Sequence, residues 1–120
     1  MNLARGRSAE DAALRFLQSR GLSLLARNYR CRLGELDLVM RDGASLVFIE
    51  VRARGNSAFG GAAASIGPAK QRRLVAAARH FLMTHPREAH RPARFDAVLI
   101  SGADGEDHPH WIRAAFDCAS

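Results

Sequence analysis

Apolar residues near the start of the chain fall on one helical face. Ala9, Ala12, Ala13, Phe16 and Leu17 stand at i, i+3, i+4, i+7 and i+8, which predicts an amphipathic helix ending at Gly21. Residues 22–30 mix apolar and basic side chains and read as a strand. Two stronger strand patterns follow at 35–41 and 46–53, joined by Asp42-Gly43-Ala44-Ser45, which is turn chemistry. Residues 54–67 are rich in Gly, Ala and Ser without periodicity and read as a mobile loop. Pro68 suits the first turn of a second helix, whose inner face would carry Leu74, Ala77, Ala78, Phe81 and Leu82 before Pro86 ends it. Residues 94–101 form another strand pattern, 102–109 a polar turn, and 111–113 a short last strand.

The order helix, three strands, helix, two strands predicts an α/β domain in which two main helices flank a mixed central sheet. At 120 residues the chain has the length of one domain, 1–120. It contains no apolar run of membrane-spanning length and no secretory signal pattern at its start, so a cytoplasmic protein that does not engage membranes is expected. Cys31 and Cys118 are isolated, which argues against a disulfide framework or a thiolate metal site. The five histidines lack ligand spacing and are expected on the solvated surface.

Charge narrows the choice of partner. Eighteen basic residues against twelve acidic ones give a net charge of +6, which favours a polyanion such as nucleic acid. Lys70 is the only lysine among the basic residues; the others are arginines.

The acidic residues point to chemistry. On the strand at 46–53, Leu46, Phe48, Glu50 and Arg52 share one face, while Val47, Ile49 and Val51 share the other. Glu50 therefore stands at the charged end of an otherwise apolar strand, a costly position without compensation. A four-residue turn at 42–45 would set Asp37 directly opposite Glu50. A turn at Asp42-Gly43 would instead set Glu35 opposite Glu50, with Asp37 diagonal. Either register gathers carboxylates, which repel unless one is protonated or a cation lies between them, and oxygen-only ligands favour Mg²⁺ or Mn²⁺. The same residues also fit a salt-bridge network of Asp37 and Glu50 with Arg52, Arg54 or Arg27.

Gly6-x-x-x-Glu10-x-x-Ala13, Arg27-Asn28-Tyr29-Arg30, Gly34-Glu35-Leu36-Asp37-Leu38-Val39, Val47-Phe48-Ile49-Glu50-Val51-Arg52-x-Arg54, Lys70-x-x-Arg73-Leu74 and Arg94-Phe95-Asp96 follow in that order. This succession resembles the YraN-type family of bacterial proteins, which is similar to archaeal Holliday-junction resolvases of the PD-(D/E)xK superfamily. The resemblance implies a restriction-endonuclease-like core and a metal-dependent endonuclease acting on DNA, with branched DNA as the substrate by analogy. It implies metal ligation by Asp37, Glu50 and the helix residue Glu10, and assembly as a homodimer. Arg52 departs from the pattern, standing where the motif has lysine. Arginine keeps the charge but stays protonated. Lys70, at the start of the second helix on its apolar side, can lean toward the sheet and supply that cation, or lay its stem on apolar surface with its head in water. Gln71 beside it can orient a water or satisfy backbone groups. The catalytic set is thus Asp37, Glu50, Arg52 and Lys70.

Arg27, Arg30, Arg54, Arg72 and Arg73, with Arg32, form a candidate phosphate-binding field, and the loop at 55–67 could close over a nucleic-acid backbone. Two further readings compete with the nuclease. One is a nucleic-acid-binding module that kept the fold and lost the chemistry at Arg52. The other is an interaction domain with a buried ion network.

Overall fold

The computed structural model describes residues 2–54, 66–101 and 108–116. Helix α1 (Asn2–Ser19) is followed by strands β1 (Ser23–Cys31), β2 (Gly34–Asp42) and β3 (Ser45–Arg54). Helix α2 (Pro68–Thr84), a short 3-10 turn (Pro86–Glu88), and strands β4 (Ala93–Ser101) and β5 (His108–Phe116) complete the order. This is the α/β succession that the pattern predicts. None of the described helices is long and apolar enough to cross a membrane.

The sheet runs β1-β2-β3-β4-β5. Its pairings are antiparallel except β3 with β4, which are parallel. A parallel neighbour needs a crossover, and the chain between β3 and β4 contains α2. The alternation along β3 assigns the two faces. Val47 and Ile49 join Leu38, Met40, Val98 and Ile100 beneath Ala9, Ala12, Ala13 and Leu17 of α1. Leu46 and Phe48 join Val39, Phe95 and Ala97 beneath Leu74, Ala77, Ala78 and Phe81 of α2. Each helix thus buries the stripe that its sequence spacing predicts.

Local chemistry fixes the ends of these elements. At the end of α1, the Leu22 amide donates to the Leu17 carbonyl and the Gly21 amide to the Gln18 carbonyl, the reciprocal bonds of a Schellman cap. Both leucines are buried, supplying its apolar contact. Between β2 and β3, Asp42 pairs with Ser45. Gly43 takes the first central position at φ +62 while Ala44 needs no positive φ, the sign pattern of a II′ hairpin. Pro68 opens α2 as expected.

The last strand is longer than its pattern suggests. Its sequence begins His108-Pro109-His110, which reads as turn, yet Pro109 pairs with Ile100 and the strand runs to Phe116. β5 lies at the sheet edge, where a residue lacking an amide proton is tolerated. Residues 55–65 and 102–107, including Phe59 and most of the expected mobile loop, lie outside the described residues, as does Cys118.

Candidate carboxylate site and basic cleft

The β2–β3 register decides whether the acids meet. Leu38 stands opposite Ile49 and Asp42 opposite Ser45, and the same spacing carries Asp37 opposite Glu50, one step past the last paired residues. This is the register of the four-residue turn; the alternative that set Glu35 opposite Glu50 is not adopted. Beyond Leu38 and Ile49 the two strands part. β2 continues against β1, with Leu36 opposite Tyr29, while β3 continues against β4. Asp37 sits at the fork, and its Oδ2 accepts the Val51 amide at 2.8 Å, satisfying a backbone donor at the parting strands.

A second irregularity lies on the other side of Asp37. Arg27 pairs with Leu38 and Tyr29 with Leu36, so Asn28 stands opposite Asp37, and its φ is +54. Asparagine is among the few residues that enter the left-handed region readily. The irregularity also appears in packing. Leu36 belongs to the α2 cluster although Leu38, two positions on, belongs to the α1 cluster. Sequence reasoning missed Asn28; an Asn inside a strand pattern was the available signal.

Electrostatics at the fork follow from this geometry. Glu50 is buried and Asp37 half-buried. Burial, the neighbouring Glu50 carboxylate and the charge of Glu10 together raise the Asp37 carboxyl to about 7, outweighing the Val51 hydrogen bond, which lowers it. Two cations answer Glu50. Lys70 Nζ lies 3.3 Å from Glu50 Oε2 and Arg52 Nε lies 3.9 Å from the same oxygen. Lys70 therefore leans toward the sheet. Gln71 Nε2 donates to the Ile66 carbonyl at 2.7 Å, the backbone-satisfying alternative.

Glu10 reaches the acids from α1. Its charge is one of those that raise Asp37, and Arg27 Nη2 lies 3.8 Å from it while also bonding Asp11. Among the described residues no three His, Cys, Asp or Glu side chains are grouped so as to hold a metal ion. The pair Asp37 and Glu50 still fits one hard divalent cation completed by water. Both donors are oxygens, and the pair is held together against its own repulsion.

The arginines divide by partner. Arg27 is engaged by Asp11 and Glu10, Arg41 by Glu88, and Arg94 by Asp42 and Asp96. Arg30 is three-quarters exposed, with Nε 3.2 Å from Glu35 Oε2. Arg32, Arg72 and Arg73 are exposed; the side chain of Arg54 lies outside the described residues. Arg30, Arg32, Lys70 and Arg73 line an open cleft of about 600 Å³ between the β1–β2 turn and the start of α2. Lys70 belongs both to this cleft and to the Glu50 pair.

The turn is held hard against the helix. A Cβ at Gly34 would stand 2.5 Å from the Arg73 carbonyl oxygen, so only glycine allows β2 and α2 to approach this closely. His85, His90 and His110 are exposed as expected, while His80 is half-buried. Tyr29 Oη and His80 Nδ1 lie 2.5 Å apart, and His85 stacks on Phe81 with ring centroids 3.9 Å apart. Both pack where the end of α2 meets β1.

The comparisons with known proteins converge. Residues 9–100 match the model of the family described as "Uncharacterised protein family UPF0102". The chain belongs to the UPF0102 (YraN) family. A UPF0102 protein of Ralstonia nicotianae is 62% identical over 118 residues, covering 94% of this chain and 86% of the relative. One from Nitrosomonas europaea is 56% identical over 113 residues, covering 94% and 93%. One from Pseudomonas entomophila is 51% identical over 114 residues, with the same coverage. These UPF0102 matches span both strands of the carboxylate hairpin and the helix that carries Lys70.

Proposed function

We propose that this UPF0102 protein is a metal-dependent endonuclease acting on DNA, with branched or otherwise structured DNA as its substrate. The observation that carries the reading is the Asp37–Glu50 pair at the fork of the sheet, where burial and mutual repulsion raise Asp37 to about 7 while a basic cleft opens beside it. Perturbed acids next to a charged cleft are characteristic of functional sites. Asp37 and Glu50 would hold Mg²⁺ or Mn²⁺, which when bound would supply Lewis-acid stabilisation of the phosphoryl group and activation of water. Lys70 and Arg52, gathered at Glu50, would neutralise charge developing on the phosphate. Arg30, Arg72 and Arg73 would contact flanking phosphates without regard to sequence.

A second reading is favoured by two observations. Lys70 already balances Glu50 at 3.3 Å, and Arg52 occupies the motif-lysine position. On that reading the chain binds nucleic acid and does not cut it.

Titration of Mn²⁺ against cleavage of a four-way DNA junction separates the two. The nuclease reading expects cation-dependent cleavage lost in Asp37→Asn, with Lys70→Ala lowering rate more than binding. If Arg52 limits the reaction by holding its proton, Arg52→Lys raises the rate. Salt-sensitive binding without cleavage at any Mn²⁺ concentration establishes the second reading. Cleavage that survives Asp37→Asn sinks the site assignment.

A further inference from the structure

The β1–β2 turn carries a feature that phosphate binding alone does not use. Its two turn residues are Arg32 and Leu33, between the paired residues Cys31 and Gly34. Leu33 is 61% exposed and lines the cleft with Arg30, Arg32 and Arg73. Single exposed leucines are common and need no explanation by themselves. Here the side chain stands at the tip of a turn clamped to α2 by the contact of Gly34 with Arg73. The other large exposed apolar side chains among the described residues, Leu24 and Met83, do not line the cleft.

An apolar tip in a cleft lined by Arg30, Arg32, Lys70 and Arg73, with Glu35 as its acid and paired with Arg30, suits a partner that offers anions and flat apolar faces side by side. Nucleic acid offers both, as phosphates and base faces. In an uninterrupted duplex the base faces are closed off by stacking, and an apolar side chain reaches one only by entering an opened step. Steps beside a branch point are already partly opened, so entry costs least there.

We propose that Leu33 is a wedge that enters an opened base step while Arg32 and Arg73 hold the flanking phosphates, making the β1–β2 turn the element that recognises interrupted stacking. Lys70 links this cleft to Glu50, so a strand held by the turn leads toward the carboxylate pair. The inference rests on the DNA reading above and assigns substrate preference to a residue outside the proposed chemistry.

The test uses the full chain in Ca²⁺, with a four-way junction carrying 2-aminopurine beside the branch and a linear duplex of the same sequence. Parent protein should brighten the 2-aminopurine and prefer the junction by about tenfold. Leu33→Ala replaces an exposed side chain, and its fold is checked by thermal melting. It should lose the fluorescence rise and most of the preference while keeping duplex affinity within about twofold. Arg73→Ala should weaken both DNAs alike and reduce the salt dependence. Unchanged fluorescence and preference in a folded Leu33→Ala overturn the wedge while leaving the nuclease reading intact. Failure of the parent to bind any DNA at low salt overturns both.

Discussion

Two acids inside the same sheet are treated in opposite ways. Asp96 on β4 is 1% exposed, and its carboxylate accepts from Arg94 Nε at 3.0 and 3.2 Å, from Trp111 Nε1 at 2.9 Å and from the Ala114 amide at 2.9 Å. Asp37 on β2 has the Val51 amide at 2.8 Å and a second carboxylate beside it, and its carboxyl is raised to about 7. Both stand at sheet irregularities. Next to Asp96, the β4–β5 register shifts between Phe95 and Ala97, and Ala114 adopts φ +50. Burial and irregularity therefore do not distinguish a site from a strut. The donor inventory does: donors around Asp96 compensate its charge, whereas Asp37 needs a proton or a cation. The Arg94-Phe95-Asp96 signature is accordingly an architectural element that pins β5 to the sheet.

The largest expected break of this comparison is at Asp96. Asp96→Ala leaves Arg94, the Trp111 indole and the Ala114 amide without their shared acceptor, and the loss should be about 3–5 kcal/mol in urea unfolding. A loss below about 1 kcal/mol would show that the network is dispensable.

Asp37→Asn should act in the other direction. It keeps an oxygen for the Val51 amide and removes the repelled charge, stabilising the fold by about 1–3 kcal/mol at pH 8. The sign follows from the proton count. Unfolded Asp37 releases its proton near 3.8 and folded Asp37 near 7, so in that window the folded state binds more protons. Its contribution to stability therefore falls as pH rises from about 4 to about 7. The slope should disappear in Asp37→Asn, and an unchanged slope would remove Asp37 as its source.

The smallest effect sharpens the comparison most. At pH 7.5, Mg²⁺ or Mn²⁺ at about ten times its dissociation constant should raise the melting temperature of the parent by about 4–8 °C. Asp96 has no part in that response, and Asp37→Asn should abolish it. A similar rise in both proteins would place the cation elsewhere.

Much of the fold follows from the sequence because each element carries its own period. The α1 and α2 stripes, the alternation along β3 and the turn chemistry at Gly43 are local properties. They give the element order and put Glu50 on the face of Leu46 and Phe48, which the assembled fold covers with α2. β5 was less legible because its Pro109 start is tolerated only at an edge, which is a property of the assembled sheet. Sequence order also left two hairpin registers open, and one residue of slip moves every side chain to the other face.

The chain by itself determined which acids and bases exist, their strand faces and the family to which they belong. The tertiary structure decided their partners. It turned Lys70 onto Glu50 and committed Arg27 to α1, and it brought the charge of Glu10 to bear on Asp37. It also parted β2 from β3 at Asp37 and clamped the Leu33 turn against α2. The physical reason is that periodicity is written between neighbours in sequence, whereas a carboxylate's charge state depends on donors, cations and burial contributed by segments far away in the chain.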